Sequence, residues 1–85
     1  MVTTKENNMG KDNMNFGEAL EALKNGNYMA RKGWNGKSMY IKLLRPDETS
    51  KMTLPYIFMF TACGNNVPWL ASQTDILADD WVLQR

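Results

Sequence analysis

Only one stretch of this chain has the apolar periodicity of a helix longer than a single turn, and that constrains the fold more than any other feature. Phe16, Ala19, Leu20 and Leu23 recur at i, i+3, i+4 and i+7 and so line one face over residues 16–24. Asn15 stands where an N-cap belongs, and Glu18 three residues later can complete a capping box. Gly26, just past Lys24 and Asn25, suits the left-handed residue that stops a helix. Beyond it the pattern breaks into short β-prone runs divided by turn residues. The fold class this predicts is α+β, one N-terminal helix packed on a small antiparallel β-sheet.

Those runs can be placed one by one. Residues 28–31 form a first strand, Gly33-Trp34-Asn35-Gly36 a tight loop, and residues 39–44 a second strand. Residues 45–52 are polar, contain Pro46 and read as a mobile connection. Residues 56–61, YIFMFT, are apolar on both faces, so both faces should be covered, one of them by a second subunit. A turn at residues 63–66 leads to a short strand near Val67, where Pro68 argues for an edge position. Ser72 and Asp75 then frame a second capping box, opening a single helical turn, and Trp81-Val82-Leu83 closes the chain as a strand. Residues 1–13 are polar and aperiodic, a leader expected to be disordered; residues 14–85 make a single ligand-binding domain.

A domain this small buries only about 60% of the surface its unfolded chain exposes, so pairing with copies of itself is an expected source of stability. Other staples are scarce. The one cysteine, Cys63, cannot form an internal disulfide, and the chain has no histidine to help hold a metal. No cofactor or metal is expected. The absence of histidine also removes the Ser-His and Cys-His pairs that activate nucleophiles. The acidic group Asp75, Asp79 and Asp80 reads as one helix cap and two solvated carboxylates rather than a hydrolytic pair. The expectation is a protein that binds, not an enzyme.

Charge narrows the partners. Ten basic against nine acidic side chains is no basis for gripping a nucleic-acid backbone, so no nucleic-acid polymer is expected. No run approaches the ~18 apolar residues of a membrane span. The expected location is the cytoplasm.

Two constellations carry groups that suit a nucleotide. In Arg31-Lys32-Gly33-Trp34-Asn35-Gly36, the Trp34 indole can stack on a purine, Arg31 can take phosphate with a two-pronged bond, and Asn35 can pair with a base edge or ribose hydroxyl. The competing reading folds Trp34 back on the helix and pairs Arg31 with an acid. In the second, residues 68–75, Trp69 precedes a helix start whose free amides form an anion site, with Ser72, Gln73 and Asp75 beside it. Here the competing reading is a capping box beside a core tryptophan. Trp81, followed by Val82 and Leu83, reads as core.

The segments MNFGEALEALKNGNYMARKGWNG and PYIFMFTACGNNVPWLASQTDILADDW resemble the phage Thoeris anti-defence proteins of the second type, once catalogued as a domain of unknown function. The likeness runs from Met14 to about Val82. It implies a phage-encoded sponge, homotetrameric, in the cytoplasm of the infected bacterial host. Such a protein binds glycocyclic ADP-ribose, a cyclic ADP-ribose isomer that serves as a Thoeris immune messenger, and does not degrade it. A separate pocket for cyclic dinucleotides is also implied. Carried onto this sequence, the binding residues are Arg31, Trp34, Asn35, Trp69, Ser72, Gln73 and Asp75. The departures are the polar leader, Cys63 where an acidic residue is common, and Phe58 and Phe60 where polar groups often stand. An alternative of another class is a protein-binding inhibitor of a host defence enzyme, which exposed aromatic side chains would also suit.

Overall fold

The computed structural model describes residues 13–35 and 37–84. The leader expected over residues 1–13 lies, apart from Asn13, outside the described residues. Helix α1 spans Phe16–Lys24 and opens on the expected reciprocal cap. The Glu18 N–H donates to Asn15 Oδ1 at 2.8 Å, and the Asn15 N–H donates to Glu18 Oε1 at 3.0 Å. The helix ends at Gly26, whose φ of 91° is the left-handed conformation a side chain would resist. Its inner face buries Ala19, Ala22 and Leu23, with Phe16 and Leu20 packed at the margin.

The strands are β1 (Met29–Arg31), β2 (Tyr40–Leu44), β3 (Tyr56–Phe60), β4 (Asn66–Pro68) and β5 (Trp81–Leu83), with a short helix α2 (Gln73–Ile76) before β5. They form one sheet in the order β4-β3-β2-β1-β5, antiparallel throughout. Pro68 falls on an edge strand, where its missing N–H costs no ladder bond. The chain's end therefore returns beside its first strand, with Arg31 in register opposite Trp81. This one pairing brings residues 31–35 and 72–81 to the same end of the sheet.

Register divides the sheet into two faces. Met29 pairs with Ile41 and Leu83, Ile41 with Met59, and Leu43 with Ile57, so these side chains share the face on which α1 packs. With Met14, Leu23 and Trp81 they build the core. Met14 is fully buried and exchanges backbone hydrogen bonds with Trp81 at 2.8 and 3.1 Å. The opposite face carries Tyr40, Lys42 and Leu44 from β2 and Tyr56, Phe58 and Phe60 from β3, all half-buried or exposed. Within the single chain one face of the 56–61 run is covered by α1, and the other is the face expected to meet a second subunit. One helix of nine residues is enough for one face only.

Candidate functional site

Arg31 ends β1 and turns its guanidinium toward two carboxylates from the other end of the chain. Its Nε donates to Asp80 Oδ1 at 2.7 Å and its Nη1 to Asp75 Oδ1 at 2.9 Å. The three side chains are mostly buried, at 19%, 12% and 29% exposure for Arg31, Asp75 and Asp80, so water screens the pairs weakly. Hydrogen bonding to Asp80 first, then to Asp75, raises the Arg31 pKa above its ordinary value. The Arg31 bond likewise does most to hold the Asp80 carboxyl below the ordinary value, against opposing burial. At Asp75 burial pushes upward, but bonds from Arg31, Ser72 and Trp34 together outweigh it and leave the pKa lowered.

One reading made from the sequence changes here. Asp80 is not a solvated carboxylate, because it binds Arg31 and also accepts from the Gly33 N–H at 2.9 Å. Arg31 is bonded inside the chain through two of its three nitrogens, as in the competing reading that pairs it with an acid. Two carboxylates against one guanidinium leave the cluster acidic.

Helix α2 begins as foreseen. The Asp75 N–H donates to Ser72 Oγ at 3.1 Å and the Ser72 N–H to Asp75 Oδ2 at 3.3 Å. Asp75 thereby caps the helix while binding Arg31. It also accepts from Trp34 Nε1 at 3.3 Å, and its backbone carbonyl takes the Trp81 indole N–H at 3.0 Å. The amides expected to await an anion are in these two cases answered by the chain's own side chains.

Around this polar knot stands an aromatic cluster centred on Trp81, which is wholly buried as the sequence suggested. Trp34 meets it edge-on, with centroids 5.4 Å apart and planes at 80°. Trp69 meets it at 6.1 Å and 87°. Phe16 joins Trp69 at 6.2 Å and Trp81 at 5.6 Å, tying the cluster to α1. Trp34 and Trp69 remain half-buried, rings seated on the core with part of each surface open. Asn35, next in the chain to Trp34, and Gln73, the first residue of α2, are both exposed.

Trp69 also forms the wall of a groove of about 410 Å³, whose other lining includes Met52, Leu54, Tyr56 and Pro68. A hollow of about 240 Å³ adjoins it toward Phe58 and Leu44, sharing Met52, Tyr56 and Pro68. Among the described residues no cluster of His, Cys, Asp and Glu could hold a metal, and no helix is long and apolar enough to cross a membrane.

Residues 14–84 match the Thoeris anti-defense 2-like domain family. A Thoeris anti-defense 2 protein of Bacillus phage SP01 is 40% identical over an alignment 84 positions long that covers 84% of this chain and 94% of the relative. The chain belongs to the Thoeris anti-defense 2-like family. The resemblance read from the residues was correct, and a phage anti-defence role comes with the membership.

For this Thoeris anti-defense 2-like chain, the structure joins Arg31, Trp34, Ser72 and Asp75 into one hydrogen-bonded unit, with Trp69 attached through Trp81. Two features escaped the sequence reading. Asp80 was one of two adjacent acids, and nothing local distinguished it from Asp79; only the β1–β5 pairing brings it to Arg31. The groove was hidden because residues 45–52 read as a polar connection. The signal available was Met52 and Leu54, two large apolar side chains in a loop, now 53% and 74% exposed.

Proposed function

We propose that this protein is a sponge that binds glycocyclic ADP-ribose, the Thoeris messenger, and sequesters it intact in the cytoplasm of the infected host. It acts as a homo-oligomer and without turnover. The observation that carries this reading is the pair of half-buried indoles, Trp34 and Trp69, both set on Trp81 in a member of an anti-defence family. Each presents ring surface on a rigid seat, a platform suited to a flat purine. Asn35 and Gln73, exposed alongside, supply amides for ribose and base edges, and Ser72 a hydroxyl.

Affinity sets a further requirement. Nanomolar capture needs about −12 kcal/mol. Base stacking contributes roughly 1–3 kcal/mol per ring. The rest must come from charge-assisted bonds to the pyrophosphate and from closing the pocket over the ligand. With Arg31 occupied internally and the second sheet face open, a neighbouring subunit is the fitting source of both. A separate pocket for cyclic dinucleotides is a secondary part of the same proposal.

The deciding experiment loads the protein with glycocyclic ADP-ribose, removes free ligand, denatures by heat and analyses the supernatant. Intact messenger in stoichiometric amount supports the sponge. A cleaved product makes the protein an enzyme, and an empty supernatant removes the reading. A second reading, a protein-binding inhibitor of a host enzyme, draws on Leu70 and Leu77, 91% and 76% exposed. Thermal stabilisation by the nucleotide alone, with no host protein present, separates the two.

A further inference from the structure

The turn that carries Trp34 is held at its first and third residues by one side chain from outside it. Asp80 Oδ1 accepts from Arg31 Nε at 2.7 Å, and Asp80 Oδ2 accepts from the Gly33 N–H at 2.9 Å. The Asp80 backbone carbonyl takes the Lys32 N–H at 3.1 Å. Three consecutive residues before Trp34 are thus fastened to Asp80. The turn's own closure is the Trp34 N–H to the Arg31 carbonyl, at 3.2 Å. The fit is close: a Cβ on Gly33 would stand 3.0 Å from Asp80 Oδ2. A side chain at Gly33 would therefore press on the Asp80 carboxylate, with no backbone strain beside it, since Gly33 is not in the left-handed region.

On the reading that Trp34 is a ligand-stacking ring, we infer that Asp80 is a positioning residue, fixing the 31–35 turn so that Trp34 meets the ligand already in place. Asp75 also touches Trp34, but its carboxylate binds Arg31 and completes the α2 cap as well, so its loss would disturb more than the turn. Asp80 is more exposed, and its side-chain bonds go to the turn and to the residue that begins it. Its contribution is to binding through preorganisation: a turn that is loose in the free protein must be frozen by the ligand, and that ordering is subtracted from affinity.

The test is a double-mutant cycle on Asp80→Ala and Gly33→Ala, read as the dissociation constant for glycocyclic ADP-ribose well below the unfolding temperature. Each single substitution should weaken binding about tenfold, a typical cost where ordering of a small turn is shifted onto the ligand. The double variant should be no weaker than Asp80→Ala, because the new methyl then has no carboxylate to displace. Asp80→Asn, whose amide oxygen still accepts from Gly33, should recover part of the loss. The near-ultraviolet circular dichroism of the coupled Trp34 and Trp81 indoles should fall in Asp80→Ala and return in Asp80→Asn. Wild-type affinity in Asp80→Ala, or losses that simply add, overturns the inference. If the wild-type protein itself ignores the nucleotide, the sponge reading fails instead. The dichroism then decides the inference alone: an unchanged band in Asp80→Ala overturns it.

Discussion

The indole N–H of Trp81 donates to the backbone carbonyl of Asp75 at 3.0 Å, in the interior of the molecule. The bond joins β5 to the helical turn that precedes it. Because Asp75 also takes Arg31 and Trp34, it connects the ring cluster to the ion-pair cluster through one residue. Site and core are therefore continuous. The rings proposed to receive a ligand are braced by the residue most deeply buried under them.

Replacement of Trp81 separates packing from the hydrogen bond. Trp81→Ala should cost about 3–5 kcal/mol, the usual price of emptying a buried aromatic site. A domain of this class has only about 5–15 kcal/mol in total. Trp81→Phe keeps most of the bulk and leaves the Asp75 carbonyl without its donor, for a loss of about 1–3 kcal/mol. Urea denaturation measures both, and an Ala variant with the wild-type midpoint contradicts this account of the core.

Acid should destabilise the fold through the carboxylates of the site. Asp75 and Asp80 both have pKa values below the ordinary 3.8 in the folded protein. In that range the unfolded chain binds more protons than the folded one, so stability rises with pH. The stabilisation is fully present above about the ordinary carboxylate value and is lost as pH falls through the lowered ones. Asp47, held down mainly by the Thr49 hydroxyl, works in the same direction. Unfolding midpoints followed from pH 5 downward (roughly the start of the carboxylate range) should fall, with a shallower slope in Asp80→Asn. Equal slopes would show that Asp80 does not contribute.

How much of this was legible beforehand depends on the distance over which each feature is determined. The limits of α1 could be read because Asn15, Glu18 and Gly26 act within a few residues of the helix ends. The α2 cap was legible for the same reason. The Arg31–Asp80 pair spans 49 positions and exists only because β5 lies beside β1, an order no local pattern encodes. Trp34 shows the middle case. Its half-buried indole sits on Trp81 and still has open surface, an intermediate placement that residue type and turn context alone do not fix. Arg31 could not be assigned locally because its residue type is suited equally to phosphate and carboxylate, and the carboxylates it pairs with lie more than forty positions away.

The two outer indoles should differ in what their loss reveals. Trp69 lines the groove and bears on Phe16, whereas Trp34 rides on a surface turn and bonds Asp75. Trp34→Ala and Trp69→Ala should each weaken nucleotide binding by about tenfold or more, consistent with ~1–3 kcal/mol per stacked base. Trp69→Ala should also lower the unfolding temperature further, since it opens a gap against α1. Calorimetric titration with unchanged affinity in both variants removes stacking from the mechanism.

The sheet face away from α1 makes the last prediction. Tyr28 stacks on Tyr40 at 4.7 Å with planes 5° apart, Tyr40 stacks on Phe60 at 5.1 Å and 16°, and Lys42 lies over the Tyr28 ring at 4.8 Å. Phe58 neighbours them in β3, half-buried. Such a continuous aromatic surface is what a second copy of the chain would cover, and its burial is worth about 25 cal/mol for each Å² removed from water. A charge placed there should be tolerated by the single chain, whose core lies on the other side, and rejected by an interface that has no partner for it. Phe58→Glu should therefore keep the far-ultraviolet dichroism of the wild type while its mass by light scattering drops toward one chain, and nucleotide affinity should fall with it. An oligomer that survives the substitution moves the self-contact to another surface, and a monomeric wild type ends the argument for a pocket shared between chains.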